Sequence, residues 1–180
     1  MKYDLKMINL FGPPSSGKST TAAGLFYLMK IKGYSVELIT EYAKQMVWER
    51  QHKAQFENQV SIAAKQHDKQ LNLVGHGIEY AITDSPLLLT LLYQPKGYYQ
   101  SFNNLVFDMN SAYSNYNILL ERNFDYSPIG RNHSEEESIE IQSKIKEFLD
   151  SNKVPYTIVE ANPTSNLKIL NLIEKHKWNN

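Results

Sequence analysis

The sequence predicts an α/β fold, a single domain built on a five-stranded, mostly parallel sheet flanked by helices. Three observations predict it. Five short runs with strand character alternate with helical stretches. The pattern G-x-x-x-x-G-K-S, Gly12 to Ser19, stands between the first strand and the first helix. No linker, internal repeat or low-complexity tract divides the 180 residues, a length that suits one core.

The elements follow in order. Met7–Phe11 is the first strand, Tyr34–Thr40 the second and Ile78–Thr83 the third, the last after a Gly75-His76-Gly77 turn. Tyr116–Glu121 is the fourth and Pro155–Glu160 the fifth, opened by a proline that suits a strand start. Between them, Lys18–Lys32 carries Ala22, Leu25, Phe26 and Met29 on one helical face and stops before Gly33. Residues 42–50 and Ala54–Leu73 read as helices broken near His52. Ser85-Pro86 reads as an N-cap followed by proline at the first helical position. Tyr98–Tyr113 is helical. Ser134 to Glu137 fits a capping box for a helix to Asp150, and Asn162-Pro163-Thr164 precedes a last helix to Lys177. The residues from Arg122 to His133 form the longest stretch without periodicity, where a lid of about residues 122–137 fits.

Composition narrows the function. The chain is 42% hydrophobic and 21% charged, as in an ordinary globular protein. Its 19 basic residues balance 19 acidic ones, so general nucleic-acid coating is a poor primary role. Cysteine is absent, which rules out disulfides and thiolate metal sites. The sequence has no eighteen-residue apolar run and no signal-like N-terminus, so the expected setting is cytoplasmic, with no membrane partner.

The Gly12–Ser19 loop carries the strongest chemistry. Such loops wrap phosphate with backbone N–H groups at a helix start, where orphan donors and the helix dipole favour an anion. Gly12, Ser15, Ser16, Gly17, Lys18, Ser19 and Thr20 are the expected nucleotide-binding residues. Pro13 and Pro14 have no N–H to give. They are expected on the outward arc, where they stiffen the loop without costing the donors nearest the helix. Lys18 reaches the β- and γ-phosphates and the Ser19 hydroxyl ligates Mg²⁺. This motif, strand before and helix after, predicts a P-loop NTPase fold with ATP and Mg²⁺ as cofactors.

Two acids end strands at the same sheet edge. Asp84, in "YAITDSPLL", is placed to hold Mg²⁺, and equally suits an N-cap. Glu41, in "ELITEYAK", faces the crevice and is a candidate to orient or deprotonate an acceptor hydroxyl, or to anchor substrate hydroxyls. As a bare helix-start residue it would only favour the dipole. Arg122 and Arg131 are candidates to neutralise the transferred group, with Gly130 as a bend; their plain alternative is solvent-facing charge. Tyr42 and Trp48 suit either a planar substrate or the core. The five histidines lack metal-ligand spacing and read as surface or structural.

Taken together, "FGPPSSGKST", "TEYAK", "ITDSPLL" and "ER…Y…GR" resemble the NadR-type P-loop domain, the ribosylnicotinamide-kinase-like ATPases of bacteria and bacteriophages. The resemblance runs from Met7 to Glu160. It implies a nucleoside-kinase-like fold, ATP-Mg²⁺ as donor and a small hydroxyl-bearing acceptor. It matches Glu41 and Asp84 to the acids after strands two and three, and Arg122 and Arg131 to lid arginines. The adenylyltransferase and DNA-binding domains of the bifunctional bacterial members have no counterpart in these residues.

The expected function is therefore an ATP-dependent small-molecule kinase acting on a nucleoside or nucleotide hydroxyl, with ribosylnicotinamide the first candidate. One alternative is a phage-type polynucleotide or hydroxymethyl-base DNA kinase, which needs a basic groove and steep salt dependence. Another is a non-kinase P-loop ATPase, which hydrolyses without an acceptor. Neither the acceptor nor the oligomeric state has a sequence signature.

Overall fold

The computed structural model describes residues 2–49, 52–122 and 135–178. Five strands, β1 (Lys6–Phe11), β2 (Val36–Ile39), β3 (Tyr80–Thr83), β4 (Ser114–Arg122) and β5 (Thr157–Ala161), form one sheet in the order β2-β3-β1-β4-β5. All four pairings are parallel. The C-terminal ends of the strands therefore share one edge, where ligands bind in open α/β sheets.

The helices are α1 (Lys18–Ile31), α2 (Tyr42–Trp48), α3 (Lys53–Glu57), α4 (Gln59–Leu71), α5 (Gln100–Ser111), α6 (Glu135–Ser151) and α7 (Ser165–Lys175). α1 forms where predicted because Ala22, Leu25 and Met29 share a buried face. It packs with α7 on one side of the sheet, against Ile8, Leu10, Ile82, Ile118 and Val159. The opposite side holds two apolar clusters, around Phe11 and Leu119 and around Met7 and Ala81. Between those clusters runs a seam of amides. The Asn9 amide donates to Asn115 Oδ1 at 2.8 Å and to Asn117 Oδ1 at 2.9 Å, and Asn117 donates to the Pro155 carbonyl at 2.9 Å. A one-residue slip would put these amides among hydrocarbon, so the seam fixes register.

Several expectations are corrected. Ser85 and Pro86 do not open an α-helix. Pro86 is extended (φ −55°, ψ 143°) and precedes a 3-10 turn, Leu87–Leu91. All five turn residues are buried, which leaves no polar face to pay out to water. The helical stretch after Tyr42 breaks at Asn58 as well as near His52, because the Asn58 side chain accepts the Ser61 N–H at 3.1 Å and caps α4. Pro155 lies two residues before β5. Arg122 is the last residue of β4, paired in register with Ala161, so it belongs to the sheet and not to an aperiodic lid. At the other end of the expected lid, residues 135–137 belong to α6. Gly130, Arg131, His133 and Ser134, with the expected lid bend and capping box, lie outside the described residues.

Candidate functional site

The loop between β1 and α1 is shaped by its glycines. Gly12 has φ +154°, and a Cβ there would lie 2.5 Å from Ser16 Oγ and 3.0 Å from the Leu120 carbonyl. Ser15 (φ 62°) and Gly17 (φ 80°) are left-handed. Alternation with left-handed residues turns successive N–H groups to one side and makes an anion-binding concavity. Gly17 caps α1 without a side-chain bond, and no acidic residue stands in the first turn. The first intrahelical bond runs from Thr21 N–H to the Gly17 carbonyl at 2.8 Å. Helix geometry gives the N–H groups of Lys18, Ser19 and Thr20 no acceptor within α1 itself. Ser19 is half-exposed and Thr20 exposed.

The prolines serve through their carbonyls. Pro13 is buried and Pro14 half-buried, so neither stands on an outward arc as expected. Pro13 accepts from Ser16 N–H at 3.3 Å and from Lys18 Nζ at 2.8 Å. Lys18 Nζ also donates to the Gly12 carbonyl at 2.8 Å. Pro14 accepts from the buried Ser138 hydroxyl at 2.8 Å, which ties the loop to the first turn of α6.

Both predicted acids lie at this edge. Asp84 follows β3 and is 5% exposed; its Oδ1 is buried without a hydrogen-bond partner. Ser16 Oγ is likewise buried and unpartnered. Two orphaned oxygens beside a loop rich in donors are what a hydrated cation and a phosphate would satisfy, so the residues present fit Mg²⁺ and a nucleotide. Glu41 precedes α2 in an extended conformation (φ −59°, ψ 122°), half-exposed.

A cation senses both acids. Lys69 of α4 donates to the Thr40 carbonyl at 2.9 Å, and its ammonium lies 5.8 Å from the centre of the Tyr42 ring. Burial holds its pKa below the ordinary lysine value, and the charges of Asp84 and Glu41 offset part of that shift. Tyr93 also senses Glu41. The residue is 41% exposed, yet burial around its hydroxyl pushes the pKa up to about 12, with Glu41 adding to the shift. Tyr42 is half-buried, whereas Trp48 is 68% exposed and belongs to no core.

Lys69, Tyr93 and Ser138 escape the sequence reading, as does Gln66, which bonds to Thr83 and to Tyr42 N–H. One signal pointed to α4. Its buried positions are Gln59, Ile62, Ala63, Gln66 and Gln70, so the spacing of an apolar face is filled largely by amides. Among the described residues no group of three or more His, Asp or Glu is arranged for a metal ion, and no helix is long and apolar enough to cross a membrane.

Solved structures share this architecture. The NadR protein in complex with NR superposes with a TM-score of 0.72 at 15% identity, over 97% of this chain and 53% of that one. This chain thus spans about half the length of that NadR chain. Deoxyadenosine kinase from M. mycoides, with the products dCMP and a flexible dCDP bound, superposes with a TM-score of 0.56 at 19% identity, over 94% and 100% of the respective chains. The fold is that of P-loop nucleoside kinases. No curated protein gives a significant sequence match. A family model described as an AAA domain matches residues 7–165, nearly the whole of the sheet and its phosphate loop, and the chain belongs to that family.

Proposed function

We propose that this chain is an ATP-dependent small-molecule kinase that phosphorylates a hydroxyl of a nucleoside or nucleotide, with ribosylnicotinamide the first acceptor to try. One observation carries the reading: a phosphate loop and two carboxylates, Glu41 and Asp84, share one sheet edge, where Lys69 bonds to the Thr40 carbonyl next to Glu41. A second acid suits an acceptor hydroxyl and would serve an attacking water in the same way, so acceptor dependence of turnover is what separates the two. The nucleoside-kinase fold supports the same reading.

When bound, ATP with Mg²⁺ supplies the phosphoryl group and the charge that screens it. The N–H groups of Gly17, Lys18, Ser19 and Thr20, with Ser15 and Ser16, would hold its phosphates. Ser19 and Asp84 would hold the metal, directly or through water. Lys18 would exchange the neutral Gly12 and Pro13 carbonyls for charged phosphate oxygens, adding attraction between opposite charges to bonds that its ammonium already makes. Glu41 orients the acceptor hydroxyl and receives its proton late in transfer. Arg131, and Arg122 from the end of β4, add positive charge to the transferred group.

The test is ATP consumption with Mg²⁺ across nucleosides, nucleoside monophosphates, ribosylnicotinamide and oligonucleotides. Stimulation by one small molecule that gains a phosphate by mass supports the kinase and names its acceptor. Stimulation by oligonucleotides alone would move the acceptor to DNA. AAA-domain membership favours a second reading, a non-kinase ATPase; equal hydrolysis with and without every acceptor would select it.

A further inference from the structure

The backbone ladder between β2 and β3 ends at the pair Ile39 and Thr83. Glu41 and Asp84 lie beyond that last pair, so something other than the ladder must hold their backbones in place. Two side chains of α4 reach them. Gln66 accepts the Tyr42 N–H at 3.2 Å and donates to Thr83 Oγ1 at 3.3 Å. Thr83 Oγ1 in turn accepts the Ser85 N–H at 3.1 Å. Lys69, three residues on, donates to the Thr40 carbonyl at 2.9 Å. Residues 40 and 42 flank Glu41, and residues 83 and 85 flank Asp84. All four take part in bonds that lead back to α4. Gln66 is 2% exposed, and an amide engaged at both ends in such a place has one orientation.

We infer that Gln66 and Lys69 are positioning residues for phosphoryl transfer, setting the separation of the Glu41 and Asp84 carboxylates and so the place of the acceptor hydroxyl. The inference rests on the kinase reading. Its physical basis is that transfer needs a near-attack geometry, where a misplacement of about 1 Å costs about a hundredfold in rate. Lys69 adds a second service. Its charge acts on both acids, so it favours keeping the two carboxylates together.

The experiment compares Gln66→Met, which keeps the shape and loses both bonds, with Lys69→Met and Lys69→Arg. Amide exchange at Tyr42 is read by NMR, Mg²⁺-dependent affinity by titration with a fluorescent ATP analogue, and kcat and KM with the acceptor found above. In Gln66→Met, exchange at Tyr42 should rise about tenfold or more while the amides of β1 and β4 stay protected. In both Met variants acceptor-dependent kcat should fall about tenfold or more, with nucleotide affinity within about twofold. Lys69→Arg should retain most of kcat, because it keeps the donor and the charge.

Unchanged exchange at Tyr42 overturns the clamp. So does a fall in kcat matched by equal losses of nucleotide affinity and melting temperature, since that is simple destabilisation. Equal damage from Lys69→Arg and Lys69→Met overturns the role of the ammonium. A wild-type protein without acceptor-dependent turnover overturns the kinase reading instead, and the Tyr42 exchange still decides whether the clamp exists.

Discussion

At its Lys6 end, β1 runs between the starts of β3 and β4; at its Phe11 end it runs into the phosphate loop. The first end is closed by matched contacts. Lys6 pairs with Glu79 at 2.7 Å and lies 5.0 Å from the centre of the Tyr80 ring. Trp178 meets Tyr80 edge-on at 5.7 Å, and His176 lies over Tyr116 at 4.3 Å. Of the polar atoms in that cluster, Trp178 Nε1 alone is buried without a hydrogen bond. The second end holds two such atoms on oxygen, Ser16 Oγ and Asp84 Oδ1. Each orphaned oxygen costs about 1–3 kcal/mol. That cost is retained where a ligand can supply the missing partner, while aromatic packing at the far end stabilises the sheet that bears it.

Substitutions at the two ends should therefore separate function from stability. The largest effect belongs to Lys18→Ala, which should lower acceptor-dependent turnover by about a hundredfold or more with a nearly unchanged thermal unfolding curve. Turnover at the wild-type level would remove Lys18 from the mechanism. Trp178→Ala should do the reverse. It strips one side of the Tyr80 and Tyr116 rings and should cost about 2 kcal/mol in urea unfolding, with nucleotide affinity intact. A loss of affinity as large as the loss of stability would mean that the two ends are not independent.

Asp84→Asn sharpens the contrast further. Removing a buried charge whose Oδ1 has no hydrogen bond should leave stability equal or higher by about 1 kcal/mol. The Mg²⁺ dependence of nucleotide binding should weaken, and titration with and without Mg²⁺ measures it. A strongly destabilised variant would make Asp84 a structural cap instead. The smallest effect belongs to Lys6→Met. The pair with Glu79 is exposed enough for solvent to screen it, so its loss should cost no more than about 0.5 kcal/mol. The hydrogen bond that Lys6 donates to Glu79 raises the Lys6 pKa above its usual 10.5. A raised lysine stabilises the fold below its unfolded pKa and loses that contribution as pH rises through the folded one. The difference between wild type and Lys6→Met should thus hold through neutral pH and fade only above about pH 10.5.

Strands, loop and parallel sheet were legible because they rest on local signals. Apolar runs bounded by glycine place the strands, and the glycines of the Gly12–Ser19 motif do work that few residues can replace. The positions of Glu41 and Asp84 followed from strand ends alone. Other features depend on neighbours that are distant in sequence. β4 continues to Arg122 because β5 pairs with it there, a partner nearly forty residues away. Pro86 stays extended because every residue of the following turn is needed in the core. Lys69 looks like an ordinary solvent-facing helix residue until α4 is laid across the ends of β2 and β3. A glutamine on the inner face of a helix is the cue that one sequence offers for such a role.

The bonds from Lys18 to the Gly12 and Pro13 carbonyls have a thermodynamic consequence. A free lysine side chain loses close to 2 kcal/mol of rotamer entropy when it is pinned. Here the ammonium is already pinned over the mouth of the loop, so that loss is charged to folding and little is left for binding. Nucleotide arrival becomes an exchange of partners at a fixed point. Calorimetry on the wild type and on Lys18→Met should therefore differ mainly in enthalpy.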